Sequence, residues 1–447
     1  MPADSGETPA IEPFLEALLE RAGRVSQGAE VFHVRRRDEP VMFEANRLKL
    51  VENRESSGVA LRLVKDGKIG FSSTSDFRDP GKLVDKALEM GPYGPEARLE
   101  FPGHHDFSPV DVYDEETASM QVEDMAEMGQ AAVDRLARHT SDLTCDGVVA
   151  KGVTALTVLN SSGGAASYTK SVFSVFFHGT VVKGEDMLLV SDGRSWCSPI
   201  RDTTEIVESI ETQLDLSRTV VEAPVGAVPV VFTPRGFAGA LLSPLMSGFS
   251  GKAVLQGVSP LVGKQGQRLM DERFSLWDAP QTAYSPGSRM CDDEGMPTRK
   301  LSLVDKGTVG TFLYDLQSAA QAGVESTASA HRGVSSLPSP GSSVIVVDGG
   351  DIGYGEMLQD MGTGLVVERL LGAGQSNILG GDFNANVLLG YRVEGGRVTG
   401  RVKNTVISGN VYRVLESLRG IENETRWVGG AVRAPSLYAD SVSVSSK

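Results

Sequence analysis

The sequence contains few cysteines and histidines, and they are widely scattered. Its 447 residues include three cysteines, Cys145, Cys197 and Cys291, an odd number without close spacing. This pattern disfavours a disulfide framework and predicts free thiols in a reducing compartment. Of the six histidines only His104 and His105 are adjacent, and neighbouring residues in an acidic loop point in different directions. The cysteines and histidines therefore offer no zinc site of the usual spacing.

Long apolar runs and an excess of positive charge are also missing. No run approaches the length of a membrane span, and the first ten residues have neither the basic nor the apolar segment of a secretory signal. We expect residues 1–10 to form a disordered leader and the protein to be cytoplasmic. The net charge of −15 and the pI of about 5.0 disfavour duplex DNA and anionic membranes as partners.

Three common motifs of nucleotide-binding and hydrolytic enzymes are absent. Lys252 follows a glycine but precedes Ala253, which has no hydroxyl for magnesium, so there is no P-loop. The glycines on either side of Ala373 lack the third glycine of a dinucleotide fingerprint. Ser250 lies in G-F-S-G and not in the G-x-S-x-G of a nucleophile elbow, so it is interpreted as a turn residue.

The patterns that are present predict an α+β protein of two domains. A chain of 447 residues is too long for one ordinary core. Runs of strands and helices are segregated, which favours α+β over βαβ units. We place a boundary in Glu222–Gly226, between an N-terminal domain of strands and helices (residues 1–222) and a β-rich C-terminal domain (residues 223–447). The order helix, strands, helix occurs twice before residue 220, which indicates a possible internal duplication.

Local signals predict several elements within these domains. The dipeptide Asp66-Gly67 predicts a tight hairpin turn, because both residues tolerate positive φ angles. The composition of Ser436–Lys447 predicts a polar tail. Apolar periodicity and capping residues predict helices over Ile11–Ala22, Asp79–Met90, Val122–His139 and Thr204–Leu216.

The stretch Val228–Lys252 is the most informative part of the second domain. A strand-like run leads to Thr233-Pro234, which predicts a helix N-cap followed by the first helical residue. Apolar residues follow at helical spacing, and Pro244 among them is expected to kink or shorten the helix. Residues 236–251 include no histidine, aspartate, glutamate or cysteine. This helical segment therefore lacks the side chains from which zinc sites are built.

An acidic cluster, Asp292-Asp293-Glu294, could bind a cation or the amino end of a peptide. We favour a hairpin turn with solvated carboxylates, because charge clusters are usually solvated. The neighbouring Cys291 has no histidine close in sequence and is expected to be an unreactive thiol. His331 follows Gly- and Ser-rich sequence and could line a cleft, although a loop or capping role is favoured.

Two blocks of residues carry a family resemblance. The first contains Asp292–Gly295, Thr298-Arg299, Lys306-Gly307 and Ser326-Thr327, and the second runs from Gly380 to Asn410. In order and spacing they resemble the D-D-E-G, T-R, hairpin and S-T motifs and the G-D-F to G-N block of the TldD/PmbA family, once called modulators of DNA gyrase. The likeness extends over nearly the whole chain.

The resemblance implies a heterodimeric metallopeptidase that acts on unfolded peptides. The family's TldD-like branch carries an H-E-x-x-x-H zinc motif on the helix after the domain boundary and a C-terminal cysteine ligand, and its PmbA/TldE-like branch lacks both. The corresponding positions here are Leu242, Ser243 and Ser247, or one residue later Ser243, Pro244 and Gly248. Neither register supplies a zinc ligand. The resemblance therefore implies a PmbA/TldE-like subunit, with zinc held by the partner subunit.

Under this interpretation the chain completes a peptide cleft beside a TldD-like partner and holds no cofactor itself. The alternative is a stand-alone homodimer that binds peptides or regulates another protein without peptidase activity. A nucleic-acid-linked role, suggested by the older family name, is disfavoured by the net negative charge. The candidate residues of the cleft or interface are Asp292, Asp293, Glu294, Arg299, Tyr314 and His331.

Overall fold

The computed structural model describes residues 11–446, so the predicted leader over residues 1–10 lies outside the described residues. The helices of the first half are α1 (Glu12–Val25), α2 (Pro80–Met90), α3 (Glu115–Ser119), α4 (Val122–His139) and α5 (Thr204–Leu216). Its strands are β1 (Gly28–Glu44), β2 (Arg47–Val51), β3 (Arg54–Lys65), β4 (Lys68–Thr74), β5 (Leu143–Asn160), β6 (Ala165–Lys183) and β7 (Asp186–Trp196).

Local sequence signals explain several of these elements. The Asp79 side chain caps α2 by accepting from the backbone N–H groups of Gly81 and Lys82, and Pro80 is the first helical residue. Asp66 and Gly67 have φ angles of 50° and 73°, as a tight turn between β3 and β4 requires. The four predicted helices of this half are confirmed within a few residues at each end.

Strands β1–β7 form one antiparallel sheet in the order β4-β3-β1-β5-β6-β7, with β2 beside the second half of β1. Helices α1 and α2 cover one face of the β4-β3-β1 side through residues such as Leu15 and Leu83. Helices α4 and α5 pack against β5–β7, and their core continues into the second half of the chain through Val231, Tyr391 and Tyr438. The two halves therefore share a core.

The second half is rich in short strands. Its helices are α6 (Pro234–Ala240), α7 (Leu242–Gly248), α8 (Gly251–Leu255), α9 (Leu316–Ala322), α10 (Tyr354–Met361) and α11 (Val411–Glu416). Its strands are β8 (Val220–Val221), β9 (Gly226–Phe232), β10 (Leu276–Asp278), β11 (Leu301–Asp305), β12 (Thr308–Val309), β13 (Ala330–His331), β14 (Ser339–Pro340), β15 (Ile345–Val347), β16 (Thr363–Leu371), β17 (Asp382–Glu394), β18 (Arg397–Val402), β19 (Thr405–Asn410), β20 (Leu418–Ile421), β21 (Arg426–Val428), β22 (Val432–Ala434) and β23 (Leu437–Ser446).

Two larger sheets organise these strands. Strands β16, β9, β23, β19 and β17 pair in that order, and β16 also pairs with β17, which closes a ring of five strands. A second sheet has the order β12-β11-β10-β15-β22-β21. Apolar residues of α6 and α7, among them Phe237 and Leu245, pack into the core that these sheets share. The prediction of an α+β protein with a β-rich second half is confirmed.

One prediction in this half is wrong and one stays open. Residues expected to form a polar tail form β23, which pairs with β9 and β19 inside the ring. Val442 and Val444 alternate with serines and are buried at 2% exposure. Apolar residues therefore recur at every second position, as they do in a strand, although the segment as a whole is polar. Strand β8 pairs with β18 across the proposed domain boundary. The boundary at residues 222/223 stays a prediction.

None of the helices within residues 11–446 combines the length and the apolar composition needed to cross a membrane.

A cluster of four buried charges joins the two halves. Glu30 and Arg62 lie opposite each other on β1 and β3, on the sheet face away from α1 and α2. The Arg62 guanidinium donates to Glu30 Oε2 at 2.9 Å and to Glu294 Oε1, from the second half, at 2.6 Å. Arg332 Nη1 donates to Glu30 Oε1 at 2.6 Å. We call Glu30, Arg62, Glu294 and Arg332 the four-charge cluster.

Burial and ion pairing have opposite effects on the pKa values of the carboxyl groups in this cluster. Burial alone would raise the pKa of Glu30, but the Arg332 and Arg62 guanidinium groups outweigh it and hold that pKa below its usual range. Glu294 has one arginine partner instead of two, and burial raises its pKa above the usual range against the opposing effect of Arg62. Removing an arginine would therefore leave buried carboxylates without their counter-charge.

We expect Arg62→Met to lower the free energy of unfolding by about 3–5 kcal/mol, because it leaves Glu30 and Glu294 buried without their shared cation. The matched control is Arg78→Met, which removes an exposed arginine 2.6 Å from Asp76 and should change stability far less than Arg62→Met does, because an exposed ion pair is screened by solvent. Denaturant unfolding of both variants measures the difference. Equal effects of the two substitutions would contradict a joining role for the four-charge cluster.

Candidate functional site

Three short helices follow β9 at the segment that the family resemblance singles out. Thr233 Oγ1 accepts from Gly236 N at 3.2 Å and caps α6, so the predicted N-cap is confirmed. Pro244 has no N–H to donate to the carbonyl of Ala240, and the helix is interrupted at Leu241 before α7 begins. The predicted shortening of the helix at this proline is confirmed.

The side chains at the family's zinc-ligand positions have other roles. Ser243 is exposed, and Leu242 packs against the core of the second half. The Ser247 hydroxyl lies 2.9 Å from the carbonyl oxygens of both Pro244 and Ile378, so its single proton is used by the backbone. None of these groups is an imidazole, a carboxylate or a thiolate.

At the remaining position, Gly248, a tyrosine from α11 fills the space beside the backbone. A Cβ atom at residue 248 would lie 2.0 Å from Tyr412 Oη, and one at Gly381 would lie 2.5 Å from the Tyr412 ring. The Tyr412 hydroxyl is buried and has no hydrogen-bond partner among the described residues. The phenol therefore occupies the space that a side chain at residue 248 would need.

The residues of this segment do not fit a zinc ion. Zinc in proteins is held by histidine, cysteine or carboxylate side chains, and α6–α8 carry none of them. Across residues 11–446 no group of three or more such side chains is arranged to hold a metal. The expectation that this chain binds no zinc stays a prediction.

The acidic turn at residues 292–294 is buried, so the favoured interpretation of solvated carboxylates is wrong. Asp292 is fully buried; its Oδ1 accepts from the N–H groups of Glu294 and Met296 at 3.0 and 2.9 Å. Its Oδ2 accepts from Ala330 N at 3.0 Å. Burial raises the pKa of Asp292 to about 6, opposed by Arg289 and by these backbone donors. Residues of the first sheet cover the turn: Arg62 donates to Glu294, and Val158 lies 3.8 Å from where a Cβ at Gly295 would be.

The other two carboxylates hold neighbouring backbone. Asp293 Oδ2 accepts from Arg332 N at 2.8 Å, and its Oδ1 lies 3.5 Å from Arg289 Nη1. Glu294 Oε2 accepts from Leu316 N at 2.7 Å, at the first residue of α9. With these bonds in place, the acidic turn is suited to positioning α9 and β13 and not to binding a cation.

The remaining predicted residues are placed differently from one another. Arg299 is exposed, and its Nη2 donates to the Ser326 carbonyl at 3.4 Å. Tyr314 is buried, and its ring lies 2.2 Å from where a Cβ at Gly251 would be. His331 is half-buried, and its Nε2 lies 2.5 Å from Arg289 Nη2. The structure thus brings His331 beside the acidic turn and leaves Arg299 outside. The functional roles proposed for the six residues stay predictions.

Three cations near this turn were not predicted from the sequence. Arg289 lies three residues before the acidic cluster, so its charge was an available signal. Arg62 and Lys170 lie in ordinary strands, and nothing near them in sequence indicates burial. Lys170 Nζ donates to the Pro286 carbonyl at 2.9 Å, and burial lowers the pKa of this lysine to about 8.

We expect Gly248→Ala to lower the free energy of unfolding by about 1–3 kcal/mol, because its methyl group would overlap the Tyr412 hydroxyl. Tyr412→Phe in the same chain should restore most of the loss, since the nearest remaining atoms, in the Tyr412 ring and Leu261, lie 3.3 and 3.4 Å away. Denaturant unfolding of the double-mutant cycle measures the coupling.

The control for this cycle is Gly251→Ala, which should be destabilising because its methyl group would overlap Tyr314. Tyr412→Phe should not rescue it. Rescue of both glycine variants, or of neither, would show that Tyr412 does not fill the space at residue 248.

We expect His331 to reduce stability in acid. Burial, together with Arg289 and Lys170, lowers the pKa of His331 from 6.5 to about 3. The unfolded chain therefore takes up this proton at higher pH than the folded chain, so the contribution of His331 to stability should fall as pH is lowered from about 6.5 towards 3. His331→Gln should lose less stability over this range than the unmodified chain does. Unfolding curves across the range test this, with the exposed His104→Gln as the unchanged control.

Comparisons with known proteins agree with the family resemblance. Residues 29–91 match the model of the PmbA/TldA metallopeptidase domain 1, and residues 225–446 match that of the PmbA/TldA metallopeptidase C-terminal domain. A metalloprotease of Methanothermobacter thermautotrophicus is 23% identical over 426 residues, covering 87% of each chain. A metalloprotease PmbA homolog of Haemophilus influenzae is 23% identical over 440 residues, covering 96% of this chain and 94% of the relative.

A solved structure has the same fold. The crystal structure of TldE from Thermococcus kodakarensis superposes with a TM-score of 0.88 at 22% sequence identity, covering 97% of this chain and 100% of the other. The two family models together match more than half of the chain, in the order in which the domains occur. The chain therefore belongs to the PmbA/TldD family of metallopeptidase-like proteins.

Proposed function

We propose that the chain is a PmbA/TldE-like subunit that holds no catalytic zinc and completes a peptide-binding cleft beside a TldD-like partner subunit. The observation that supports this proposal most directly is the composition of α7. At the positions of the family's zinc ligands it has hydroxyl, hydrocarbon and glycine, and Tyr412 fills the space beside Gly248. A phenol buried in that space would obstruct the approach of a metal.

In this proposal the chain binds and orients the substrate. An extended peptide can be held by backbone hydrogen bonds along a strand, which gives affinity with little sequence preference. The carboxylates of the acidic turn are already bonded to backbone N–H groups and to arginines. We therefore assign them to holding the shape of the cleft, not to transferring protons.

The proposal includes an unfolded peptide as substrate, zinc in the partner subunit and a cytoplasmic location. It includes neither nucleic acid nor a membrane as a partner. When bound in the partner, zinc would polarise the scissile carbonyl and activate water. The contribution of this chain would be to the affinity for peptide and to the assembly of the cleft.

Co-expression with a TldD-like chain tests the proposal. We expect one complex on size-exclusion chromatography, about one zinc per heterodimer, and peptidase activity above that of the TldD-like chain alone. The isolated chain should contain no stoichiometric zinc and cleave no peptide. Chelator-sensitive hydrolysis by the isolated chain would overturn the proposal. A homodimer that ignores the TldD-like chain and leaves its activity unchanged would favour the stand-alone alternative.

A further inference from the structure

The first sheet has one face that the described chain covers only at one end. Helices α1, α2, α4 and α5 lie on the other face, because the residues that they bury in β1, such as Val31 and Val41, are an even number of positions apart. The face away from these helices meets the second half of the chain at the four-charge cluster. Farther along, every second residue of β6 from Ser174 to Val182 lies on this face and is exposed or half-buried.

Apolar side chains form a row across this uncovered part of the sheet. Leu50, Met42, Val148 and Phe176 are direct cross-strand neighbours on β2, β1, β5 and β6. Leu50, Met42 and Phe176 are exposed at 42%, 37% and 42%, and Val148 is half-buried. The ring of Phe176 extends the row to β7, since it lies 2.6 Å from where a Cβ at Gly193 would be.

The apolar surface continues along β6 and β7 beyond this row. Val182 and Met187 pair with each other and are both exposed, and Leu189 on the same face is half-buried. A solvated face of an antiparallel sheet is usually polar, so this composition indicates a surface that another molecule covers. We call the region of this face from Leu50 to Met187 the open face.

The charged residues near the row are paired with one another. Asp146 Oδ2 lies 3.4 Å from His178 Nε2, and Glu44 Oε2 lies 3.4 Å or less, at 2.9 Å, from Lys49 Nζ. Because each of these carboxylates has a basic neighbour, the open face offers little to a strongly charged partner. Apolar side chains at the centre with paired polar groups around them are typical of protein–protein interfaces.

The open face has the size of an interaction surface. It spans β2, β1, β5, β6 and β7, which is about 19 Å at about 4.8 Å between strands. From Ser174 to Val182 it extends about 27 Å, at about 3.4 Å per residue. Its area in plan is therefore about 500 Å², more than half of the roughly 800 Å² that each partner contributes to a stable complex.

The terminal residues beyond the described part of the chain are a poor match for this surface. Residues 1–10 lead into α1, which packs on the other face of the sheet. Their sequence includes one large apolar residue, Met1, whereas the row on the open face has four. A cover of matching size and apolar composition therefore comes from another chain.

The open face adjoins the elements discussed as parts of the cleft. Lys170 lies on the same face of β6 as Phe176, about 20 Å along the strand, and its Nζ donates to the Pro286 carbonyl in the loop that leads to the acidic turn. Val158 of β5, also on this face, lies 3.8 Å from where a Cβ at Gly295 would be. A subunit seated on the open face would therefore have the acidic turn at its border.

We propose that the open face docks the TldD-like partner subunit, with Met42, Val148 and Phe176 at the centre of the contact. The choice of partner rests on the proposed function, in which this chain completes a cleft beside a TldD-like subunit. A subunit docked here would lie next to the acidic turn, as a shared cleft requires. An apolar surface suits a lasting partner, because interfaces that stay assembled are more apolar than transient ones.

Methionine oxidation tests this contact without any substitution. Met42 on the open face and Met90, at the end of α2 on the other face of the sheet, are exposed at 37% and 55%. We expect assembly with a TldD-like chain to slow the oxidation of Met42 by hydrogen peroxide at least about fivefold and to leave Met90 unchanged. Mass spectrometry of the complex and of the isolated chain measures both rates. Unchanged oxidation of Met42, or equal slowing at both residues, would overturn the proposal.

A charge placed in the open face provides a second test. Phe176→Lys should weaken the complex by about tenfold or more, because a lysine at the centre of an apolar contact loses its hydration without gaining a partner. The matched control, Met90→Lys, places the same charge at an exposed apolar position on the other face and should leave the affinity unchanged. Denaturant unfolding of the isolated chains shows whether each variant folds, and Met42→Lys replaces Phe176→Lys if the latter does not. Equal affinities of the open-face and control variants would overturn the proposal.

These outcomes are separable from those of the proposed function. A complex that forms, leaves Met42 oxidation unchanged and tolerates Phe176→Lys would support the heterodimer and contradict docking at the open face. A homodimer that ignores the TldD-like chain and is dissociated by Phe176→Lys would contradict the heterodimer, and a second copy would then be the occupant of the open face in place of the one proposed.

Discussion

The pairing of Arg62 with Glu30 and Glu294 is the constraint on which the arrangement of the two halves depends. Taking these charges out of water is unfavourable unless each one meets its partner at hydrogen-bonding distance. Glu294 is 232 residues from Arg62 in sequence, so the pair forms only when both halves have folded and met. Arg332 adds a second contact from the far half to Glu30, on the same face of the first sheet. The four-charge cluster thus fixes where the second half lies along the first sheet as well as how close the two halves are.

The acidic turn connects the four-charge cluster to other elements of the second half. Glu294 uses one oxygen for Arg62 and the other for the first residue of α9, while Asp292 and Asp293 hold the backbone at Ala330 and Arg332. One buried turn therefore positions a helix and a strand relative to the first sheet. Local low dielectric strengthens these bonds and makes the loss of any one of them costly.

The chemistry available to the chain follows from where its polar groups are used. The carboxylates of the acidic turn are hydrogen-bonded to backbone N–H groups and paired with arginines. Helix α7 has no side chain that binds zinc, and Tyr412 fills the space beside Gly248. The proposed function accordingly concerns binding and orientation of a peptide, and it assigns no bond breaking to this chain.

By itself the sequence determined what depends on a few adjacent residues: the cap at Asp79, the turn at Asp66-Gly67, the helix start at Thr233-Pro234 and the missing ligands in α7. The family followed from motif order in the same way. Only the tertiary structure decided that the acidic turn is buried, that the serine-rich end is a strand inside a ring, and that a tyrosine from α11 meets Gly248. The physical reason is that capping and turn formation are local, whereas burial and pairing depend on which distant residues the fold brings together.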